Sequence, residues 1–289
     1  MKDRSRMPAN LEFSELGEYH LVNAYDELNA KVIHESVATG FDKDQNLAAI
    51  KSLVEFCERQ AFVEGFKRND LACLTERTDG LAAYPALVSF TEAREQAREK
   101  ALHEAIERYA WTKWWDDKDT KYEILDEKNF LDLKPLRDQI SEILPVSEAF
   151  VILPNLQDKT VEVLILVFFL KNGGVISGGA CGSKSNRSFI LQRAFAEISR
   201  HAIAVSRFVE TNEEPITFYE NRLLFFSSDS GEKIVRERLL TRGAQEIVLP
   251  QLYIDSEVKH SLSDIIYVHR CLFEGQPPFV GGALERFCI

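Results

Sequence analysis

Two stretches of the sequence carry the same five-position word, Glu-x-x-Glu-Arg. In the first it is Glu55, Glu58 and Arg59; in the second it is Glu104, Glu107 and Arg108. A third stretch keeps the first glutamate as Glu197 and has Arg200 where the second would fall. Glutamates at i and i+3 on a helix share one face, with Cβ atoms roughly 5–6 Å apart, and as bare like charges they destabilise it mildly. If two such helices face one another, four carboxylates converge, which is unfavourable unless a cation neutralises them. The matching cation is hard and oxygen-loving, so Mg²⁺ is preferred over zinc, which calls for His or Cys. Mg²⁺ usually keeps several waters and completes its shell with substrate phosphates. Arg59 and Arg108 beside it could grip phosphate oxygens bidentately, so the set points to a nucleoside triphosphate. A single such word is ordinarily a solvated helix face with a local ion pair. Recurrence in matching context is what gives it weight.

Helices must carry these residues, and the apolar spacing supplies them. Residues 44–62 place Leu47, Ile50, Leu53, Val54, Cys57 and Ala61 at helical intervals, and 91–114 do the same with Ala97, Ala101, Leu102, Ala105, Ile106 and Tyr109. Residues 188–205 form a third helix with Leu191, Ala194, Phe195, Ile198 and Ala202 on one side. Apolar or β-rich runs at 19–25, 34–39, 150–154, 161–170 and 174–177 predict strands, and 216–226, 246–249 and 265–272 also read as strand-like. The fold class expected is mixed α/β (α+β), one unit with a substantial sheet. Each helix follows a glycine-containing segment: Thr39-Gly40, Asp79-Gly80, and Gly178-Gly179 with Gly182. These read as tight turns between strand and helix, or as places where backbone N–H groups meet phosphate at a helix start. None is a Walker A or dinucleotide fingerprint.

The wider composition narrows the function classes. With 35 Lys+Arg against 46 Asp+Glu the net charge is −11, which disfavours wholesale nucleic-acid binding. No apolar run reaches the ~18 residues of a membrane span, and no apolar segment of signal-peptide type follows the basic residues of 1–10. The cysteines Cys57, Cys73, Cys181, Cys271 and Cys288 lie far apart without CxxC spacing, which points to a reducing, cytoplasmic setting. They are expected to pack as small hydrophobes, with Cys288 the most exposed. Trp111, Trp114 and Trp115 read as a buried packing face, and His103 and His201 as helix-surface residues rather than proton carriers. No Ser-His-Asp, Cys-His or HExxH arrangement is present.

Taken in order, these segments resemble the YcaO family, ATP-using enzymes that activate backbone amides of ribosomally made peptides. Gly40 falls on the family's leading glycine, and Ser52, Glu55, Glu58 and Arg59 match the end of its first segment. In the second, Thr78, Gly80, Leu81, Ala82 and Ala83 match, followed by Ala101, Leu102, Glu104, Ile106, Glu107, Arg108 and Trp114-Trp115. In the third, Gly178, Ala180, Arg193, Ala194 and Glu197 match. VHRCLFEGQPPFVGG near the end is similar to the family's late Val-x-Arg…Phe-Gly segment. The resemblance runs over roughly 32–281, and four ordered segments are more specific than any one.

The resemblance implies a YcaO-like domain at 31–289, behind a short extension at 1–30, with pseudo-repeats around an ATP cleft. Glu55, Glu58, Glu104 and Glu107 would hold Mg²⁺ ions bridging the ATP phosphates, and Arg108 would contact phosphate. Arg59, Gln96 and Glu197 are further nucleotide-binding positions, with Gln96 standing where the family has glutamate. A Cys, Ser or Thr side chain of the substrate, or an external sulfide, adds to a backbone carbonyl. ATP phosphorylates the amide oxygen, and phosphate leaves to give an azoline or a thioamide. Cyclodehydration to azolines is the leading expectation; a thioamide-forming member with a TfuA-like partner, or a non-catalytic scaffold that binds peptide, are the alternatives. Phe41-Asp42, Tyr84-Pro85 and Arg200 depart from the family pattern, and the end reads LERFCI instead of a proline-rich tail. A length of 289 residues leaves little room for substrate recognition. The expected partners are therefore a precursor peptide and a leader-peptide-binding or TfuA-like protein, with a homodimer left open.

Overall fold

The computed structural model describes residues 10–16, 18–25, 38–67, 79–86, 89–215, 217–279 and 281–287. The chain runs β1 (Asn10–Leu16), β2 (Tyr19–Tyr25), β3 (Ala38–Asp42), α1 (Gln45–Lys67), β4 (Gly80–Pro85), α2 (Phe90–Asp116), β5 (Tyr122–Asp126), α3 (Leu133–Ile140) and β6 (Val146–Pro154). It continues through β7 (Val161–Leu170), β8 (Val175–Ser183), α4 (Arg187–Thr211), α5 (Phe218–Phe226), α6 (Asp229–Leu240), β9 (Leu252–Glu257) and β10 (Ile266–Phe273). This is a mixed α/β fold with three antiparallel sheets among the described residues. Two compact units emerge, Met1–Ala105 with Leu252–Glu274, and Ile106–Gln251 with Gly275–Ile289. No described helix is long and apolar enough to cross a membrane.

The first unit holds two three-stranded sheets, ordered β1-β2-β3 and β4-β10-β9. α1 starts where the Asp44 carboxylate accepts the N–H groups of Asn46 and Leu47, at 2.8 and 3.1 Å, which satisfies donors the helix cannot. Its buried Phe56, Cys57 and Ala61 pack with Leu81 and Ala83 of β4 and Ile266 and Val268 of β10. α2 begins at Ser89, whose hydroxyl accepts from Glu92 N–H at 3.1 Å. Asp79, just before β4, and Arg270 of β10 form a buried ion pair.

In the second unit the sheet is ordered β5-β6-β7-β8. β7 is buried over eight consecutive residues, which is why, beyond a Glu162 paired with Arg187, its sequence is an apolar run without alternation. α4 lays Ile190, Leu191, Ala194, Phe195, Ile198, Ala202 and Val205 inward. Trp111 and Trp114 are fully buried, as expected, among Phe226, Phe279 and Phe287, and the Trp111 indole N–H donates to the Phe287 carbonyl at 2.6 Å.

Several expectations change. Residues 218–226 are helix, not strand: Thr217 and Glu220 form a reciprocal capping box, and Arg222, Leu223 and Phe226 make the buried face. The T-x-x-E word was legible, but the aromatic run disguised it. The strand expected at 246–249 reduces to an isolated bridge between Leu156 and Ile247. The 34–39 run begins outside the described residues and its strand is β3, at 38–42. Cys57, Cys181 and Cys271 are buried and free, whereas Cys73, Cys288, His34 and Thr78 lie outside the described residues.

The three glycine segments lie within strands, not in turns at helix starts. Their role is close approach: a Cβ on Gly40, Gly80 or Gly178 would fall 1.7, 1.8 or 2.5 Å from backbone atoms of Ala48, Ala101 or Ile198. Helix backbone cannot yield as a side chain can. Gly80→Ala is expected to lower unfolding free energy by about 3 kcal/mol or more in urea titration, the upper range of overpacking. Gly275→Ala, with nothing within 4 Å, should cost much less despite its positive φ.

Candidate active site

The signature carboxylates meet the backbone of edge strands. β3 and β4 each end a sheet, so one side of each presents N–H groups that no strand pairs. Glu55 Oε2 accepts from Thr39 N–H of β3 at 3.1 Å. Two residues apart on β4, the N–H groups of Leu81 and Ala83 donate to Glu104 Oε2 at 2.7 Å and to Glu58 Oε2 at 3.1 Å. α1 and α2 thus bring their glutamates to the edges of two sheets, β3 and β4, where Glu55 and Glu104 lie close enough to Glu58 to act on its charge, so three of the four carboxylates expected to gather converge. Arg59 reaches back one turn to Glu55 Oε1 at 2.7 Å.

The grouping carries an electrostatic load. Burial pushes the Glu58 carboxyl well above the ordinary carboxylate range. The neighbouring charges of Glu104 and Glu55 push it further, while Arg59 and the Ala83 N–H pull it back only in part. Such a set would suit a hard cation: the donors are all carboxylate oxygens, and a divalent ion would remove the repulsion. On donor chemistry the residues fit Mg²⁺.

Glu107 follows Glu104 by one turn of α2 and is buried, with 8% of its surface exposed. Within the second unit it lies against Gly179, where a Cβ would come 3.3 Å from Glu107 Oε1 and 2.4 Å from the Trp111 ring. Gly179 N–H points to Glu197 Oε2 at 3.4 Å, and β8 too is the edge of its sheet. Arg200, which departs from the family pattern, stands 3.8 Å from Glu197 Oε1. The Arg108 guanidinium sits over the Phe279 ring at 5.7 Å.

The structural register does not follow the sequence word. Gly80 crosses α2 at Ala101, three residues before Glu104, and Gly178 crosses α4 at Ala194, three before Glu197. Both glutamates then face the N–H of the residue after the glycine. Gly40 crosses α1 at Ala48, seven residues before Glu55, which reaches instead the residue before its glycine. Lys51 occupies the position equivalent to Glu104, and its ammonium donates to the Phe41 carbonyl at 3.2 Å. The second and third copies match in space; the first is displaced by one turn.

Other candidates fall elsewhere. Gln96 is partly buried, about 12 Å up the α2 axis from Glu104, and is not gathered with the carboxylates. His201 is buried, not on the helix surface: its Nδ1 lies 2.5 Å from the Ser177 carbonyl and its Nε2 2.5 Å from the Tyr219 hydroxyl. The departures from the motif are structurally absorbed. Phe41 stacks on Tyr19 at 4.7 Å, Asp42 pairs with Lys51 at 2.6 Å, and Lys100 lies over the Tyr84 ring at 4.6 Å.

No protein-family model matches the chain, and no curated protein does. Solved structures do. The E. coli microcin synthetase McbBCD complex superposes with TM-score 0.60 at 11% identity, over 93% of this chain and 88% of that one. The same complex with pro-MccB17 bound gives 0.62 at 12% identity over the same shares. A heterocyclase in complex with substrate and cofactor gives 0.57 at 11% identity, covering 96% of this chain and 51% of that one. At such identities the likeness concerns the backbone alone: the chain shares the mixed α/β fold of these structures.

Proposed function

We propose that this chain uses Mg²⁺-ATP to activate backbone amides of a ribosomally made precursor peptide, forming azolines from Cys, Ser or Thr. The observation that carries the reading is the convergence of Glu55, Glu58 and Glu104 from two helices, with Glu58 held above the ordinary carboxylate range. Those three and Glu107 would hold Mg²⁺, and Arg108 would contact phosphate. Bound Mg²⁺-ATP supplies the phosphoryl group that converts an amide oxygen into a leaving group.

The contribution of the chain is placement. Each signature glutamate of the first unit has one oxygen anchored by a strand N–H, which fixes where its charge lies without relying on the cation. Arg59 steadies Glu55 from the same helix. A nucleophile from the protein is not required, because the substrate brings its own. The McbBCD complexes, one with pro-MccB17 bound, support the view that a peptide and partner subunits belong with this fold. Residues 31–289 would act as one ATP-using domain.

The test is reconstitution of the chain with a precursor peptide and its partner protein. Expected are peptide-dependent phosphate release and loss of one water from the peptide per ring, read by mass spectrometry. Exchange of oxygen for sulfur would instead indicate a thioamide product. Absence of Mg²⁺-ATP binding with both partners supplied would leave only a scaffold.

A further inference from the structure

A second donor set, of different chemistry, lies in the first unit on β9 and β10. His269 and Cys271 stand two residues apart on β10, so their side chains leave the same face of the sheet. In the antiparallel register Asp255 of β9 is the direct partner of Cys271. His269 Nε2 is 2.8 Å from Asp255 Oδ1, and Cys271 Sγ is 3.8 Å from the same oxygen. One nitrogen, one sulfur and one oxygen thus lie within 4.8 Å of one another. Arg98 of α2 closes over them, its Nε 2.9 and 3.0 Å from the two Asp255 oxygens and its Nη2 2.6 Å from Oδ2.

We propose that Asp255, His269 and Cys271 form a binding site for a borderline-soft divalent cation of the zinc class, with Arg98 as its displaceable occupant. The donor types decide the class: imidazole and thiolate suit Zn²⁺ and are poor ligands for Mg²⁺. The charges close as well. A carboxylate, a neutral imidazole and a thiolate balance a dication, and the Cys271 proton leaves to solvent on binding. The geometry is near what is needed. Tetrahedral ligands at about 2.0 Å from zinc stand about 3.3 Å apart, so the His269–Asp255 contact opens by less than an ångström. His269 and Cys271 are buried on rigid strand, whereas the Asp255 and Arg98 side chains are 29% and 50% exposed. Arg98 can therefore turn outward, and water can take the fourth position. Bound metal would tie β9 to β10.

The full chain, held in excess Mg²⁺ to occupy the α1 and α2 carboxylates, is titrated with Co²⁺ and then Zn²⁺. One Co²⁺ per chain should bind, with a thiolate-to-cobalt charge-transfer band that Zn²⁺ abolishes by displacement. Cys271→Ser should remove the band, and Asp255→Asn, at an exposed side chain, should weaken binding at least about tenfold. Arg98→Ala should tighten binding, because the competing cation is gone. The proposal is overturned if the band survives Cys271→Ser, if Asp255→Asn leaves affinity unchanged, or if Arg98→Ala weakens binding in a chain whose circular dichroism is unaltered.

Discussion

A chain carrying Glu104→Gln together with Glu107→Gln should lose peptide-dependent phosphate release by about 10³-fold, the scale of removing a group that stabilises charge in a reacting complex. Its thermal midpoint should move by no more than about 4 °C, the shift that roughly 1 kcal/mol produces in a chain of this size. The separation follows from what Glu104 does. Its Oε2 accepts the Leu81 N–H of an edge strand, and a glutamine carbonyl oxygen accepts that bond equally well. The charge, however, is gone, and with it the means of holding a cation. Glu104→Ala is the contrasting case: the Leu81 N–H loses its acceptor, at about 1–3 kcal/mol, so the midpoint falls as activity does. Phosphate release and differential scanning fluorimetry on the three chains distinguish charge from scaffold. Full activity in the glutamine double variant would mean that these carboxylates only brace the sheet.

The second large effect is a Mg²⁺-dependent gain in stability that grows with pH. Glu58 has its folded-state pKa raised above the ordinary 4.5 by burial and by Glu104 and Glu55. Between those two values the folded chain holds a proton that the unfolded chain has released, so metal-free stability falls as pH rises through this window. Mg²⁺ would bind the deprotonated cluster, so its effect should be smaller at low pH, where Glu58 holds its proton, than at pH 8. At pH 8 and 100 times its Kd it should add about 2.7 kcal/mol, or roughly 5–10 °C in midpoint. Glu58→Gln should flatten the metal-free pH slope and shrink the Mg²⁺ response. If Mg²⁺ shifts the midpoint equally at both pH values, or not at all, the cluster is not a cation site.

Much of this arrangement was legible in local spacing. α1, α2 and α4 follow from their apolar intervals, and Tyr19–Tyr25 forms the strand its composition indicates. The repeated Glu-x-x-Glu-Arg word contains Glu55, Glu58 and Glu104, which meet in space, while its i, i+3 spacing fixes only which residues share a face of one helix. What escaped was set by approach between elements. Gly40, Gly80 and Gly178 read as turn residues because glycine is common there, yet each is a strand residue facing helix backbone. The word also aligned α1 with α2, whereas crossing geometry aligns α2 with α4. A one-turn offset between strand and helix leaves no trace in either segment alone. Asp255, His269 and Cys271 belong to no motif, since strand pairing, not sequence spacing, brings Asp255 to the other two. α5 was missed for the opposite reason, as β-forming aromatics outweighed a capping box that was present.

The acidic residues that close strand edges bear on how the chain behaves in a crowded solution. An open edge is a template on which another polypeptide can hydrogen-bond, and this is how folded proteins begin to aggregate. β3, β4 and β8 each end a sheet, and each has an outward N–H turned to a glutamate: Thr39 to Glu55, Leu81 and Ala83 to Glu104 and Glu58, Gly179 to Glu197. Glu55, Glu58 and Glu104, proposed to hold a cation, thereby also deny those edges to stray strands, as Glu197 does at β8. Substitutions that shorten several of them at once should therefore reduce soluble yield as well as turnover.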